Sequence, residues 1–121
     1  MVIKILTAFV LTWTVRKLAN IIWYEPRPFI VDPSALLYYT KLTIHDGSFF
    51  SFHASTAFSA AGSVFWRYRK FGTALFIMAS MISLGRVLAG LHYPHDVIVG
   101  ALVGITISYL VERLSPKRVD I

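Results

Sequence analysis

The chain has 121 residues, of which 56% are hydrophobic and 15% charged, and its formal net charge is +6. A soluble globular domain carries about 25% charged residues, so a water-exposed surface of ordinary polarity is excluded and a bilayer accounts for the deficit. The absence of cysteine excludes a disulfide framework and a thiolate metal site.

A membrane-spanning helix needs about 20 mostly apolar residues, and four runs approach that length. The first covers residues 3–23; it lacks a small-residue cleavage site and carries Arg16, Lys17 and Asn20 towards its end, so no cleavable signal peptide is expected. A long connection, residues 24–49, holds Arg27. Within it Asp32 before Pro33 reads as an N-cap with proline at the first helical position. A short helix bearing Leu36, Leu37, Tyr38 and Tyr39 is predicted to lie in the headgroup region, and Asp46 with Gly47 reads as a turn. The second run, 50–65, opens with Ser51 and His53. Trp66, Arg67, Tyr68, Arg69 and Lys70 join it to the third run, 71–88, which contains Arg86. A tight connection, 90–95, with His92 and His95, leads to the fourth run, 96–111, which starts at Asp96. The second and fourth runs are short, so tilt or local bilayer thinning is expected.

Lys4, the basic connection 66–70 and the tail with Arg113, Lys117 and Arg118 are placed in the cytoplasm by the positive-inside rule. Both termini are then cytoplasmic, and residues 24–49 and 90–95 face outward. This topology brings Arg27, Ser51, His53, Arg86, His92 and Asp96 to one depth at the outer face. Ionisable residues at membrane depth are costly and are functional candidates by default. Paired arginines match phosphate oxygens bidentately, and histidines beside them suit acid–base or nucleophilic work. On a continuous helix Asp96, four residues after His92, shares its face and can orient the imidazole.

These residues resemble the type 2 phosphatidic acid phosphatase superfamily. Arg86, five residues, His92, three residues, Asp96 is similar to its third signature, and the flanking Gly90, Leu91, Tyr93, Pro94 and Val97 fit as well. Arg27 and Pro28 resemble the end of the first signature; Ser51 and His53, followed by Ala54 and Ser55, resemble the second. The resemblance covers nearly the whole chain. It implies that His92 attacks phosphorus to form a phosphohistidine, that Asp96 holds His92, and that His53 protonates the leaving oxygen. Arg27, Arg86 and Ser51 would bind the phosphoryl oxygens, without metal or other cofactor.

The departures are local. Asn20 stands where the family has a lysine; either it donates a neutral hydrogen bond or Lys17, one turn earlier, reaches the phosphate. Gly85 replaces a serine, and Phe50 and Phe52 replace a proline and a small or acidic residue. The resemblance implies an all-α membrane bundle of four transmembrane helices plus a short interfacial helix, one domain over residues 1–121. It also implies that the two leading helices of the usual six-helix core are missing; a homo-oligomer or a helper subunit could stand in for them. Asn20 and the run Tyr24, Glu25, Pro26, Arg27, Pro28, Phe29 resemble small bacterial undecaprenyl-diphosphatase-like members. The expected reaction is therefore undecaprenyl diphosphate to monophosphate at the outer (periplasmic or extracellular) face of the cell membrane. Phosphatidic acid and phosphatidylglycerol phosphate are alternative substrates, and a lipid-binding pseudoenzyme is the alternative of another class. A soluble member of the superfamily is excluded by the four apolar runs. A metal site at His92, His95 and Asp96 is disfavoured by the arginines, and a nucleic-acid partner by the lack of a basic face outside the apolar runs.

Overall fold

The computed structural model describes residues 1–32 and 47–116, and no strand occurs among them. The elements are α1 (Val2–Ile22), α2 (Pro28–Val31), α3 (Phe52–Phe65), α4 (Arg69–Leu88) and α5 (Pro94–Leu114). Three of these, α1, α4 and α5, are long and apolar enough to cross a membrane. Their 20 or 21 residues give about 30 Å at 1.5 Å per residue, the thickness of a hydrocarbon core.

The surface of these helices is inverted relative to a soluble protein. Leu6, Val10, Ile77, Met81, Ile98 and Leu102 are exposed, while Thr12, Ser55, Ser59, Ser108 and Asp96 are buried. Each large apolar side chain left in water forgoes about 1.5–3 kcal/mol. In lipid that penalty vanishes, and buried hydroxyls must instead find internal partners. Several do so within their own helices: Thr12 donates to the Ala8 carbonyl at 2.7 Å, Ser63 to the Ser59 carbonyl at 2.9 Å and Ser83 to Ala79 at 2.8 Å, while the Ser59 hydroxyl finds no partner among the described residues.

The second predicted run forms α3, but with only 14 residues, about 21 Å long, it falls short of the other three. It occupies the centre of the bundle, packed on α5, α4 and α1, while α1 and α4 do not meet. Small residues permit this packing. Gly100, Gly104 and Ser108 recur every four residues along α5 and face Ser51, Ser55, Ser59 and Gly62 on the α3 side. A Cβ on Gly104 would overlap the Ser55 carbonyl, and one on Gly100 would lie 2.9 Å from the Ser51 carbonyl. Close backbone approach through small residues is what lets apolar helices associate where lipid offers no hydrophobic drive.

Ser51 starts α3 as its N-cap, its Oγ accepting from the Ala54 amide at 3.1 Å. The Ser51 amide in turn donates to the Asp96 carbonyl at 3.0 Å, which ties the start of α3 to the start of α5. Ser51→Ala is expected to cost about 1 kcal/mol, read as a lower thermal midpoint in detergent; an unchanged midpoint would show that the cap contributes nothing.

The predicted headgroup helix around Leu36 to Tyr39 lies outside the described residues. The described part of that connection holds α2, with Arg27 as N-cap and Pro28 at its first position. Asp32, expected as an N-cap, is instead the C-cap of α2, its amide donating to Pro28 at 2.8 Å. The reason is local: Pro28 is preset for a helix start, and Asp32, which precedes Pro33, is extended at φ −136°, ψ 98°, as a residue before proline prefers.

At the far end of the bundle Lys4 Nζ lies 3.1 Å from both Glu112 carboxylate oxygens. Arg69 stacks 4.4 Å above the Phe65 ring, and Arg113 Nε donates to Tyr109 Oη at 3.0 Å. A cavity of about 640 Å³ opens there, lined by Lys4, Trp66, Arg69, Tyr109, Glu112 and Arg113. Its described lining contains an ion pair and no histidine; the candidate chemistry lies at the other end.

Candidate active site

His92 does not sit on a continuous helix with Asp96. Gly90 adopts φ 78°, a left-handed conformation that glycine enters without penalty. Its amide donates to Val87 at 3.0 Å and the Leu91 amide to Arg86 at 3.2 Å, the paired bonds of a Schellman stop. α5 then begins afresh at Pro94, with Tyr93 as N-cap. Asp96 reaches back in the first turn, its Oδ2 accepting from the Tyr93 amide at 2.9 Å. The two residues still meet, because the chain between the helices folds the imidazole over the start of α5. The gap from His92 Nδ1 to Asp96 Oδ2 is 3.6 Å, longer than a good hydrogen bond.

A nearer partner sets the imidazole. His92 is 2% exposed, and its Nδ1 lies 3.0 Å from the Ser48 carbonyl oxygen. A carbonyl only accepts, so Nδ1 carries the proton and Nε2 the lone pair. Arg27 Nη1 lies 3.2 Å from that Nε2 and 3.3 Å from the Leu91 carbonyl. Burial holds the His92 imidazole below the ordinary histidine value of 6.5; the Asp96 carboxylate opposes this, and the Arg27 and Arg86 cations add to it. His92 is therefore neutral near pH 7, with its unprotonated nitrogen turned to a guanidinium.

A cavity of about 300 Å³ opens in front of that nitrogen. Helix α1 supplies Trp13, Arg16 and Lys17, α3 supplies Phe52 and His53, α4 supplies Arg86, and the connections supply Arg27 and His92. Among the described residues four cations and no carboxylate line it, a lining that suits an anion. The Phe52 ring stands edge-on to Phe9 at 6.1 Å, giving the mouth an apolar wall. Arg16 lies six residues before the end of α1, about 9 Å at 1.5 Å per residue, so the cavity is recessed below that end.

Two of the residues assigned to phosphate binding from sequence stand elsewhere. Asn20 is not among the lining residues; its Oδ1 accepts from the Gly47 amide at 2.9 Å. Ser51 is fully buried and occupied in capping α3. Arg16, which sequence reading treated only as the end of an apolar run, is 3% exposed and donates from Nη2 to the Gly47 carbonyl at 2.8 Å. Arg16 and Asn20, four apart on α1, thus grip both sides of Gly47. The next carbonyl, that of Ser48, selects the His92 tautomer. An arginine in an apolar run, four residues before an asparagine, was the available signal, since i and i+4 share a helix face.

Among the described residues the group whose ligand atoms lie within 4.8 Å of one another is Glu25, His95 and Asp96, not the set with His92. His95 Nε2 lies 2.9 Å from Glu25 Oε1 and 3.1 Å from Asp96 Oδ1, and its ring stacks on Tyr93 at 5.5 Å. A cation there would compete with these contacts, and the His92 Nδ1 is engaged by the Ser48 carbonyl.

An apolar helical bundle that holds a neutral, buried histidine against arginines can bind a phosphate and offer it an unprotonated nitrogen. Residues 1–120 match the PAP2 superfamily, and the chain belongs to that superfamily. It is 32% identical over 119 residues to the bacitracin transport permease protein BcrC of Bacillus licheniformis, covering 97% of this chain and 57% of that protein. It is 31% identical over 108 residues to the undecaprenyl-diphosphatase BcrC of Bacillus subtilis (strain 168), covering 84% and 51% respectively. A lipid A 4'-phosphatase of Helicobacter pylori (strain J99) is 40% identical over 68 residues, 54% of this chain and 34% of that protein. The chain thus spans about half the length, or less, of the curated relatives it matches. No solved structure matches it.

Proposed function

We propose that this chain hydrolyses a lipid diphosphate, undecaprenyl diphosphate in first place, to the monophosphate through a phosphohistidine on His92. The observation that carries the reading is His92 Nε2, 3.2 Å from Arg27 Nη1, facing a cavity lined by four cations. Nε2 attacks the terminal phosphorus while the bond to the bridging oxygen breaks. His53 gives that oxygen its proton, and lipid monophosphate leaves. Water then attacks the phosphohistidine, passes a proton to His53 and releases inorganic phosphate, which restores both histidines. Arg27 and Arg86 stabilise the charge that spreads over the transferred oxygens. The Ser48 carbonyl keeps Nδ1 protonated and, with Asp96 beside it, steadies the charged imidazole. Trp13 and Phe52 offer an apolar wall to the first isoprene units. A relative named undecaprenyl-diphosphatase, aligned over 84% of the chain, favours the diphosphate over phosphatidic acid or phosphatidylglycerol phosphate.

In this reading α3 crosses as a fourth, short span in a locally thinned or tilted arrangement, and residues 1–121 act as one domain. The basic end with Lys4, Arg67, Arg69 and Arg113 faces the cytoplasm, and the cavity faces outward. The unpartnered apolar faces leave room for a second copy or a helper subunit.

The test is phosphate release by detergent-purified protein in EDTA, with undecaprenyl diphosphate and phosphatidic acid in parallel and His92→Ala as control. Release that needs His92 and survives EDTA supports the reading, and the preferred lipid names the substrate. Release from neither lipid points to a lipid-binding pseudoenzyme.

The depressed His92 pKa sets the pH response. The reactive imidazole is the neutral form, so the acid limb of kcat/KM is expected to have its midpoint below pH 6.5, the ordinary histidine value. Unfolded His92 takes up its proton near 6.5 and folded His92 only at lower pH, so folding stability also falls as pH drops through that window. Arg27→Gln removes a cation that lowers this pKa and should move the limb upward; a limb above pH 6.5 in the unaltered protein would contradict the assignment.

A further inference from the structure

We propose that His95, held by Glu25, is a positioning residue: it steadies the buried Asp96 carboxylate that stands beside the proposed nucleophile His92. The inference rests on the phosphatase reading and deepens it, because it adds two residues that act on His92 through Asp96. Neither Glu25 nor His95 is among the residues lining the cavity, so neither is placed to bind substrate.

The two oxygens of Asp96 face different neighbours. Oδ2 accepts from the Tyr93 amide at 2.9 Å and lies 3.6 Å from His92 Nδ1. Oδ1 is buried without a hydrogen bond of good geometry among the described residues, and His95 Nε2 stands 3.1 Å from it. A carboxylate oxygen taken out of water needs a donor or a cation close by, and the His95 imidazole is in place to be one.

His95 is itself held. Its Nε2 lies 2.9 Å from Glu25 Oε1 and 3.1 Å from Glu25 Oε2. Carboxylates only accept, so Nε2 carries a proton. The ring stacks on Tyr93 with the two planes 9° apart, and Tyr93 is the residue whose amide holds Asp96 Oδ2. The Glu25 carbonyl accepts from the Ser48 amide at 2.7 Å, and the Ser48 carbonyl lies 3.0 Å from His92 Nδ1. These contacts close a ring: His92 to Ser48, Ser48 to Glu25, Glu25 to His95, His95 to Asp96, and Asp96 back to His92. An exposed histidine–carboxylate pair alone contributes little. Here His95 is exposed, but the Asp96 side chain it meets is fully buried, where a charge or dipole is screened less.

The test pairs phosphate release from undecaprenyl diphosphate with a readout that needs no turnover. His95→Ala and Glu25→Gln are each expected to lower kcat about tenfold, the scale of one hydrogen bond to a charged group, with KM within about twofold and the thermal midpoint unmoved. The double variant should be no slower than the slower single one, since both changes open the same ring. His95→Gln, which keeps an N–H donor, should recover most of the loss. Losses that multiply in the double variant, or a kcat that stays within about twofold in both single variants, would overturn the positioning role. With isotope-labelled histidine, NMR in detergent follows the proton on His92 Nδ1, identified by its disappearance in His92→Ala. That resonance should shift in both His95→Ala and Glu25→Gln, and an unmoved resonance overturns the proposal. If it shifts in a protein that releases no phosphate, the ring stands and the proposed reaction falls.

Discussion

Replacing His92 with alanine is expected to lower phosphate release by on the order of 10⁴-fold or more, the scale seen when a covalent nucleophile is removed from a hydrolase. The bundle should remain folded. The side chain makes hydrogen bonds with the Ser48 carbonyl and the Arg27 guanidinium and a looser contact with Asp96, and losing such bonds costs about 1 kcal/mol for the neutral partner and about 1.5–3 kcal/mol for the charged one. Asp96 keeps its bond from the Tyr93 amide at 2.9 Å, so its carboxylate is not stranded. The measurement pairs a phosphate-release assay with a thermal melt in detergent. Turnover within tenfold of the unaltered protein would remove His92 from the mechanism. A collapsed melt would make it a structural residue first.

Gly104→Val is expected to have the largest effect on stability. The first carbon of any side chain there overlaps the Ser55 carbonyl and comes within 2.8 Å of the Ser59 amide. Both are backbone groups of α3, which cannot rotate away as a side chain can. Helices α3 and α5 must separate, at a cost of about 1–3 kcal/mol or more. The displacement would also strain the bond from the Ser51 amide to the Asp96 carbonyl, 3.0 Å long, and so disturb the site at its base. Gly85→Ala is the control. Nothing lies within 4 Å of a Cβ at that position, and alanine inside a helix is favoured over glycine by about 1 kcal/mol. The expected result is a clear fall in the thermal midpoint for Gly104→Val and no fall for Gly85→Ala. Equal midpoints in the two variants would mean that the small-residue seam does not hold the bundle together.

Helix positions were legible in the sequence because each is a local property of an apolar run bounded by Gly, Pro or charge. The run at residues 71–88 became Arg69–Leu88, and the run at 96–111 became Pro94–Leu114. Family signatures likewise pointed to Arg27, His53, Arg86 and His92, which line one cavity. The pairing of His92 with Asp96, expected from an i, i+4 spacing on a continuous helix, arises instead across the break between α4 and α5. Gly90 and Pro94 break the helix between them, and the connection they bound brings the two side chains together. The seam of Gly100, Gly104 and Ser108 was also present in the sequence and reads plainly once its partner helix is known.

By itself the sequence determined an apolar, all-helical chain, the approximate bounds of its long helices and the residue types that converge at one end. These follow from hydropathy and local backbone preference, which act within a few turns. Only the tertiary structure decided what each polar side chain touches. Gly47 lies 31 residues from Arg16, and Ser48 lies 44 from His92. Asn20 and Ser51 are spent on backbone amides, while Arg16 enters the cavity wall. A hydrogen bond is directional and short, so its partner is set by how helices pack to within an ångström, and packing joins residues whose separation in sequence carries no trace of the contact.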